Sequence, residues 1–295
     1  QEPSRARTMT TERLNSKIET LKDEMRRLQK LEAQMLATPG QQISLTDPDA
    51  RSMATSGRGS GMVAYNVQSA VDTKHHLIVA HEVTNSGSDR SQLSAMAKQA
   101  KAALKTDKLE VVADRGYFKS EEILACDKVG IIVTLPRPQT SNNRTRGRFV
   151  KQDFVYMPAE DLYRCPAGEH LIHHTTAVER GLTLYRYWTN NCQSCTIKDK
   201  CTTGKERRVT RWEHEHILEA VQQRLDEQPE RMRQRRETVE HPFGTIKCWM
   251  GYTHFQMKTL KRVGTEMALH VLAYNIKRVI NIIGIGPLMA AMKVA

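Results

Sequence analysis

The chain has no run of about 18 apolar residues, the length a helix needs to cross a bilayer, so the sequence predicts no membrane span and no membrane partner. Its opening residues, Gln1-Glu2-Pro3-Ser4-Arg5-Ala6-Arg7, hold no apolar core of a secretory signal. A start at Gln rather than Met predicts a missing or processed N-terminus. Acid is in deficit: 33 Asp and Glu stand against 45 Lys and Arg, giving a net charge of +12 and a pI near 9.5. That balance favours polyanionic partners, nucleic acid ahead of acidic membrane surfaces. Aromatics are scarce, and beside the basic clusters only Tyr185, Tyr187 and Trp188 offer a face to a base; packing is their commoner role. Taken with the cysteines below, these features predict a soluble intracellular protein. With 295 residues, 39% of them hydrophobic, the chain can bury a substantial core in one or two domains.

Periodicity organises the chain. Leu14, Ile18, Leu21, Met25, Leu28 and Met35 follow 4-3-4-3-7 spacing and predict one long helix over 10–37. Such a seam needs a partner, either another helix of this chain or a second subunit in a homodimer. Thr38-Pro39-Gly40 ends it. Strand-like runs follow at 42–46, 63–71 and 76–83, then a helix at 89–103, a strand at 109–113, a helix at 120–128 and a strand at 130–136. Alternation of this kind predicts a mixed α/β sheet. Residues 137–148 read as an exposed connection, 212–247 as a charged helix and 258–283 as an apolar one. The divisions are a helical segment at 1–40, an α/β part at 41–148, a Cys-rich insertion at 149–211 and a helical remainder at 212–295.

One stretch is the most informative. Arg236 lies four residues before Glu240, and Lys247 lies seven after it. At about 100° per residue these offsets place the three within roughly 40° on a helix. A carboxylate flanked by two cations suits a group that holds metal ions while its neighbours hold phosphates. Pro242 interrupts the pattern: it lacks an amide donor and clashes with the carbonyl of residue 238, predicting a kink or a restart before Lys247. Other carboxylates stand at strand ends: Asp47 and Asp49 after the first strand-like run, Asp114 after 109–113. Carboxylate oxygens suit Mg²⁺, and phosphodiester chemistry on two such ions requires several acids to converge.

Four of the six cysteines fall in one window: Cys165, then Cys192-x2-Cys195-x5-Cys201. A tight pair with two further thiols suits tetrahedral Zn²⁺, with reduced thiols and an iron–sulfur cluster as the alternatives, and with His173 or His174 as substitute ligands. A closed zinc site would staple an insert that has too few large apolar residues to fold alone. Cys126 and Cys248 read as small buried residues. Arg144-Thr145-Arg146-Gly147-Arg148, Arg207-Arg208-Val209-Thr210-Arg211 and the crowd of Arg231, Arg233, Arg235 and Arg236 predict a phosphate-tracking groove.

In order along 42–280, the chain resembles a known family. The carriers are Thr46-Asp47-Pro48-Asp49-Ala50-Arg51, Ala64-Tyr65-Asn66-Val67-Gln68 with Ala70-Val71-Asp72, Val83-Thr84-Asn85 with Asp89-Arg90, Ala113-Asp114-Arg115-Gly116-Tyr117, and residues 239–247. Together they resemble bacterial insertion-sequence transposases of the DDE class, in the branch with a Y-x2-R-x3-E-x6-K signature. The resemblance implies a ribonuclease H-like α/β fold and cleavage and strand transfer of element ends into target DNA. It implies two Mg²⁺ or Mn²⁺ ions held by Asp47 (or Asp49), Asp114 and Glu240. Arg236 and Lys247 would contact phosphates, with His241 beside Glu240 as a further substrate contact. Arg233 occupies the signature tyrosine's place, which puts that DNA contact in question. A non-catalytic, zinc-stabilised DNA-binding remnant and a cleavage-only metal-dependent nuclease are the rival readings.

Overall fold

The computed structural model describes residues 11–38, 40–53, 61–139 and 141–294. The protein is mixed α/β, and its chain divides into two compact units. Gln1–Gln68, His81–Ser88 and Gly244–Ala295 form the first; Ser69–Ala80 and Asp89–Phe243 form the second.

The chain begins with α1, Thr11–Ala37, as the heptad spacing predicts; residue 10 of that prediction lies outside the described residues. No residue of α1 is buried, and Leu14, Ile18, Leu21, Met25 and Leu28 all stay exposed along the seam. Residues 42–46 do not form the predicted strand. There the Ser44 hydroxyl accepts the Asp47 amide and bonds the Thr46 hydroxyl, so side chains serve the backbone in place of a ladder. The first strands are β1 (Arg51–Met53) and β2 (Met62–Ala64), antiparallel with Arg51 opposite Ala64. Next, β3 (Asn66–Val71) and β4 (Ile78–Thr84) pair with each other, and the division between units falls inside both strands. At their turn Asp72 Oδ2 accepts the His75 amide at 2.6 Å, and His76 takes a φ of 57°.

The second unit continues with α2 (Leu93–Leu104), which buries Leu93, Met96, Ala97 and Ala100 at helical spacing. A strand–helix–strand follows: β5 (Leu109–Val112), α3 (Ser120–Asp127) and β6 (Ile131–Thr134). The two strands are parallel, with Leu109 opposite Ile131 and Val112 opposite Thr134. Parallel pairing requires such a crossover, and α3 supplies it. The Cys-rich stretch then forms a five-stranded antiparallel meander: β7 (Val155–Met157), β8 (Leu162–Arg164), β9 (His170–Glu179), β10 (Leu182–Trp188) and β11 (Val209–Trp212). Its core is Phe154, Tyr163, Leu171, Tyr187 and Val209, with Cys165 and Cys201 packed against it.

The predicted helix over 212–247 is two helices, α4 (Glu215–Glu227) and α5 (Arg231–Gly244), because Trp212 closes β11 and Pro229 cannot donate to the carbonyl of Leu225. Ile217, Leu218 and Val221 of α4 join Leu93, Ile123, Ile131, Val133, Leu135 and Trp212 in the core around β5 and β6. Back in the first unit, a π turn, Thr245–Trp249, follows α5 directly. The chain ends in α6 (Leu260–Ile283), which buries Val263, Met267, Val271 and Tyr274, and α7 (Ile285–Val294). No single described helix is long and apolar enough to cross a membrane; α6 and α7 pass that test only together, across a 113° bend. Among the described residues the strands form four separate hydrogen-bonded sheets, where the sequence predicts one mixed sheet. Apart from the meander each sheet has only two strands, and ladders three or four residues long, such as β1–β2 and β5–β6, leave little edge to extend.

Candidate active site

Asp114 follows β5, where the ladder continues for one more bond, Ala113 amide to Thr134 carbonyl. It caps the short turn Arg115–Tyr117: Oδ1 accepts the Gly116 amide at 2.8 Å. Oδ2 accepts from the Arg235 guanidinium of α5 at 2.7 Å. A Cβ at Gly116 would meet Asp114 Oδ1 at 2.9 Å, so the Asp114 carboxylate would have to shift, and would lie in ordinary contact with Asp89 Oδ2 at 3.5 Å. The carboxylates of Asp89 and Asp114 therefore both stand beside Gly116. The sequence reading used Asp89 as part of a motif and missed it as a site residue; no local spacing links positions 89 and 114. Burial, then the charges of Asp89 and Asp114, push the Tyr117 phenol well above its ordinary value.

Glu240 lies on α5, exposed, one turn after the equally exposed Arg236, so the i, i+4 relation holds. Among the described residues neither makes a hydrogen bond or an ion pair. Pro242 does not restart the helix: α5 runs through it, with Pro242 buried, to Gly244. The irregularity comes afterwards, in the π turn, where the Met250 amide reaches back five residues to the Thr245 carbonyl. Lys247 is exposed on that wider turn, so the single-face geometry predicted for it does not hold. Arg233, in the signature tyrosine's place, is exposed and paired with Glu237 at 2.8 Å. The His241 ring stands 5.0 Å from that of His76.

Asp47 and Asp49 belong to the first unit, Asp114 and Glu240 to the second. Asp47 is buried and its carboxylate is saturated. Tyr65 donates to Oδ2 at 2.7 Å, the Asp49 amide to Oδ1 at 3.2 Å, and the Thr259 amide to both oxygens. Burial raises the pKa of Asp47, but these donors and the Lys258 charge outweigh it and hold the carboxyl below its ordinary value. Asp49 is half-buried; its Oδ2 accepts the Leu260 amide at 2.8 Å, and its Oδ1 accepts nothing among the described residues.

The four cysteines of the window come together. Cys165, Cys192, Cys195 and Cys201 line one cavity of about 20 Å³, room for a single water or ion. Each stands at a turn; Gly168, at a φ of 86°, closes the one after Cys165 and donates to its carbonyl. Burial pushes the Cys201 thiol up; Arg207 opposes this, and the other three cysteines add to it. Even so, among the described residues no three His, Cys, Asp or Glu side chains stand in metal-ligating geometry. His173 and His174 do not line the cavity. The first packs against Tyr185 and Tyr187, and the second stacks on Trp188 at 3.9 Å. Cys126 is buried as predicted, whereas Cys248 is exposed on the π turn.

The basic runs divide. Arg144 and Arg146 are exposed. Arg211 turns inward instead: it pairs with Glu219, bonds the Tyr163 hydroxyl at 3.2 Å and lies 3.6 Å above the Tyr156 ring. Trp188 is not open on both sides either, since His174 stacks on it and Arg208 lies 4.8 Å from its centre.

Residues 164–280 match the family model of a transposase DDE domain. The match takes in the four clustered cysteines, Arg236, Glu240 and Lys247, and lies wholly beyond Asp47, Asp49 and Asp114. No curated protein and no solved structure matches the chain.

Proposed function

We propose that this chain, an insertion-sequence transposase of the DDE class over its matched residues, cleaves DNA at element ends and joins the freed ends to target DNA. The observation that carries this reading is the pairing of two features in one chain. Glu240 faces solvent one turn from Arg236 inside the matched segment, and Asp114 presents a carboxylate, 39% exposed, at the C-terminal end of a parallel strand. Ends of parallel strands are where α/β sheets present functional loops. The mixed α/β build is compatible with a ribonuclease H-like catalytic domain, with 149–211 as its Cys-rich insertion.

The donor set suits Mg²⁺ or Mn²⁺, since every candidate ligand is a carboxylate oxygen. Glu240 and Asp114, both of the second unit, would hold the ions, and the family resemblance adds an aspartate of the 47–49 loop as a third carboxylate. Asp49 is preferred to Asp47 for that role, because Asp49 is half-buried and keeps Oδ1, while Asp47 is buried with two donors on each oxygen. Two such ions, when bound, polarise the phosphate and lower the pKa of the attacking water or 3′-hydroxyl. Arg236 and Lys247, both exposed, would hold phosphates, with His241 and Arg233 at the flank. Arg233 would first have to leave Glu237.

The thiol set suits Zn²⁺ by its chemistry and by its convergence on a cavity of one ion's size, with Cys165, Cys192, Cys195 and Cys201 as the ligands. DNA is the partner this reading requires, in a bacterial cytoplasm at the nucleoid. The uncovered apolar seam of α1 supports a homodimer.

The test is Mg²⁺- or Mn²⁺-dependent cleavage and joining of an end-bearing duplex, with Glu240→Gln alongside. Joined product from the wild type, lost in the variant, is the expected result. Cleavage without joining would leave a nuclease. Tight binding without cleavage under either ion would leave a DNA-binding remnant.

A further inference from the structure

We infer that Arg235 is a built-in counter-ion for Asp114, occupying the carboxylate edge that a divalent ion needs and so setting how tightly the DNA-free protein takes that ion. The inference rests on Asp114 being a metal ligand, as proposed above. Asp114 has two oxygens. Oδ1 is spent on the Gly116 amide at 2.8 Å, and Oδ2 on Arg235 at 2.7 Å. An ion approaching Oδ2 must displace the guanidinium or bind beside it, and a divalent cation a few ångströms from a fixed positive charge is repelled.

The surroundings explain why a cation stands there. Asp89 and Asp114 both stand beside Gly116, and both negative charges are felt at the half-buried Tyr117 phenol. Two carboxylates gathered around one glycine call for a positive charge, and Arg235 supplies it in the absence of metal.

The pair is also placed to exchange. It is not sealed in the core: Arg235 is 21% exposed and Asp114 39%. Nor does the seating of α5 hang on it alone. One turn earlier Arg231 reaches Glu110 of β5 at 3.1 Å, so a second ion pair holds the same helix to the same strand. A guanidinium does not lose its charge at any working pH, so loss of charge on Arg235 does not release this carboxylate, whereas competing ions can.

The test is calorimetric titration of Mn²⁺ into the full DNA-free chain, comparing wild type with Arg235→Gln, Arg235→Ala, Arg235→Lys, Arg231→Gln and Asp114→Asn, each checked for folding by circular dichroism. Removing the charge in Arg235→Gln or Arg235→Ala should tighten Mn²⁺ binding on the order of tenfold, whereas Arg235→Lys should stay near wild type. Arg231→Gln should leave the affinity unchanged. A purely structural Arg235 would move the affinity the other way or not at all, so equal or weaker Mn²⁺ binding in both neutral variants overturns the inference. If Asp114→Asn binds Mn²⁺ as wild type does, the metal-ligand reading itself fails, and that outcome is separate from a null result at Arg235.

Discussion

The Leu260 amide donates to Asp49 Oδ2 at 2.8 Å across 211 positions of sequence. One residue earlier the Thr259 amide donates to both oxygens of Asp47. Two aspartates from a single irregular loop thus serve the first amides of α6, where negative charge is favoured by the unpaired N–H groups and the helix dipole. The two differ in what they have left. Asp47 has no oxygen to spare, and Asp49 has one.

That difference separates the two residues experimentally. Asp47→Asn replaces an acceptor oxygen by an amide donor facing Tyr65 and Thr259, and should cost about 1–3 kcal/mol of stability. Asp49→Asn should melt close to wild type yet lose metal-dependent cleavage. Thermal melts beside the cleavage assay check both. A stable, active Asp49→Asn with an inactive, folded Asp47→Asn would return the ligand role to Asp47.

Acid should loosen the first unit. Burial opposes ionisation of Glu266, but the amides of Gln256 and Met257, and His270, outweigh it and depress its pKa, as Tyr65 and backbone amides do for Asp47. Groups depressed by folding contribute fully above their unfolded values, here 3.8 and 4.5, and that contribution is lost as pH falls through the lower folded values. Stability followed by urea unfolding should therefore start to drop below about pH 4.5, and Glu266→Gln should show a shallower acid limb. Parallel limbs in the two proteins would count against the assignment.

The arginines of the basic runs should fall into two classes. Arg236→Ala leaves the fold intact, since its side chain is exposed, and should lower the slope of log affinity for duplex DNA against log salt by about 1. Arg211→Ala should leave that slope alone and destabilise the protein by about 1–3 kcal/mol, because it strips Glu219 and Tyr163 of their donor. Fluorescence anisotropy over a salt series, with melts for each variant, distinguishes the classes.

Reduced, freshly prepared protein should contain one zinc per chain, lost on Cys201→Ser. Chelation should release the turns carrying Cys165, Cys192, Cys195 and Cys201 while the strand–helix–strand of β5, α3 and β6 survives, because Cys165 and Cys201 pack on the Phe154, Tyr163 and Tyr187 cluster and not on the cluster around β5 and β6. Metal analysis and hydrogen exchange read this out. Full thiol titration of a metal-free, natively folded meander would reject the zinc assignment.

Much of the local structure was legible before any coordinates. The heptad leucines of α1, the apolar runs of β5 and β6 and the Cys spacing all depend on residues near one another in sequence, where period and turn chemistry operate. Pro242 was read as a kink or a restart; α5 continues through it without a restart, and an irregularity follows in the π turn. Cys248 was misread as buried for lack of any signal of where that turn leaves it. Arg211 looked like any surface arginine until Tyr156, Tyr163 and Glu219 closed around it.

By itself, then, the sequence determined which residue types were available and in what order: two aspartates in a first loop, one after a buried strand, a glutamate one turn from an arginine, four thiols in one window. Tertiary structure alone decided their states. It buried Asp47 and left Asp49 an open oxygen, set Asp89 beside Gly116 with Asp114, and laid Arg235 on Asp114 from 121 positions away. The physical reason is range. Secondary structure follows from contacts within a few residues, whereas the charge state and availability of a carboxylate depend on whichever donors and cations packing brings to it.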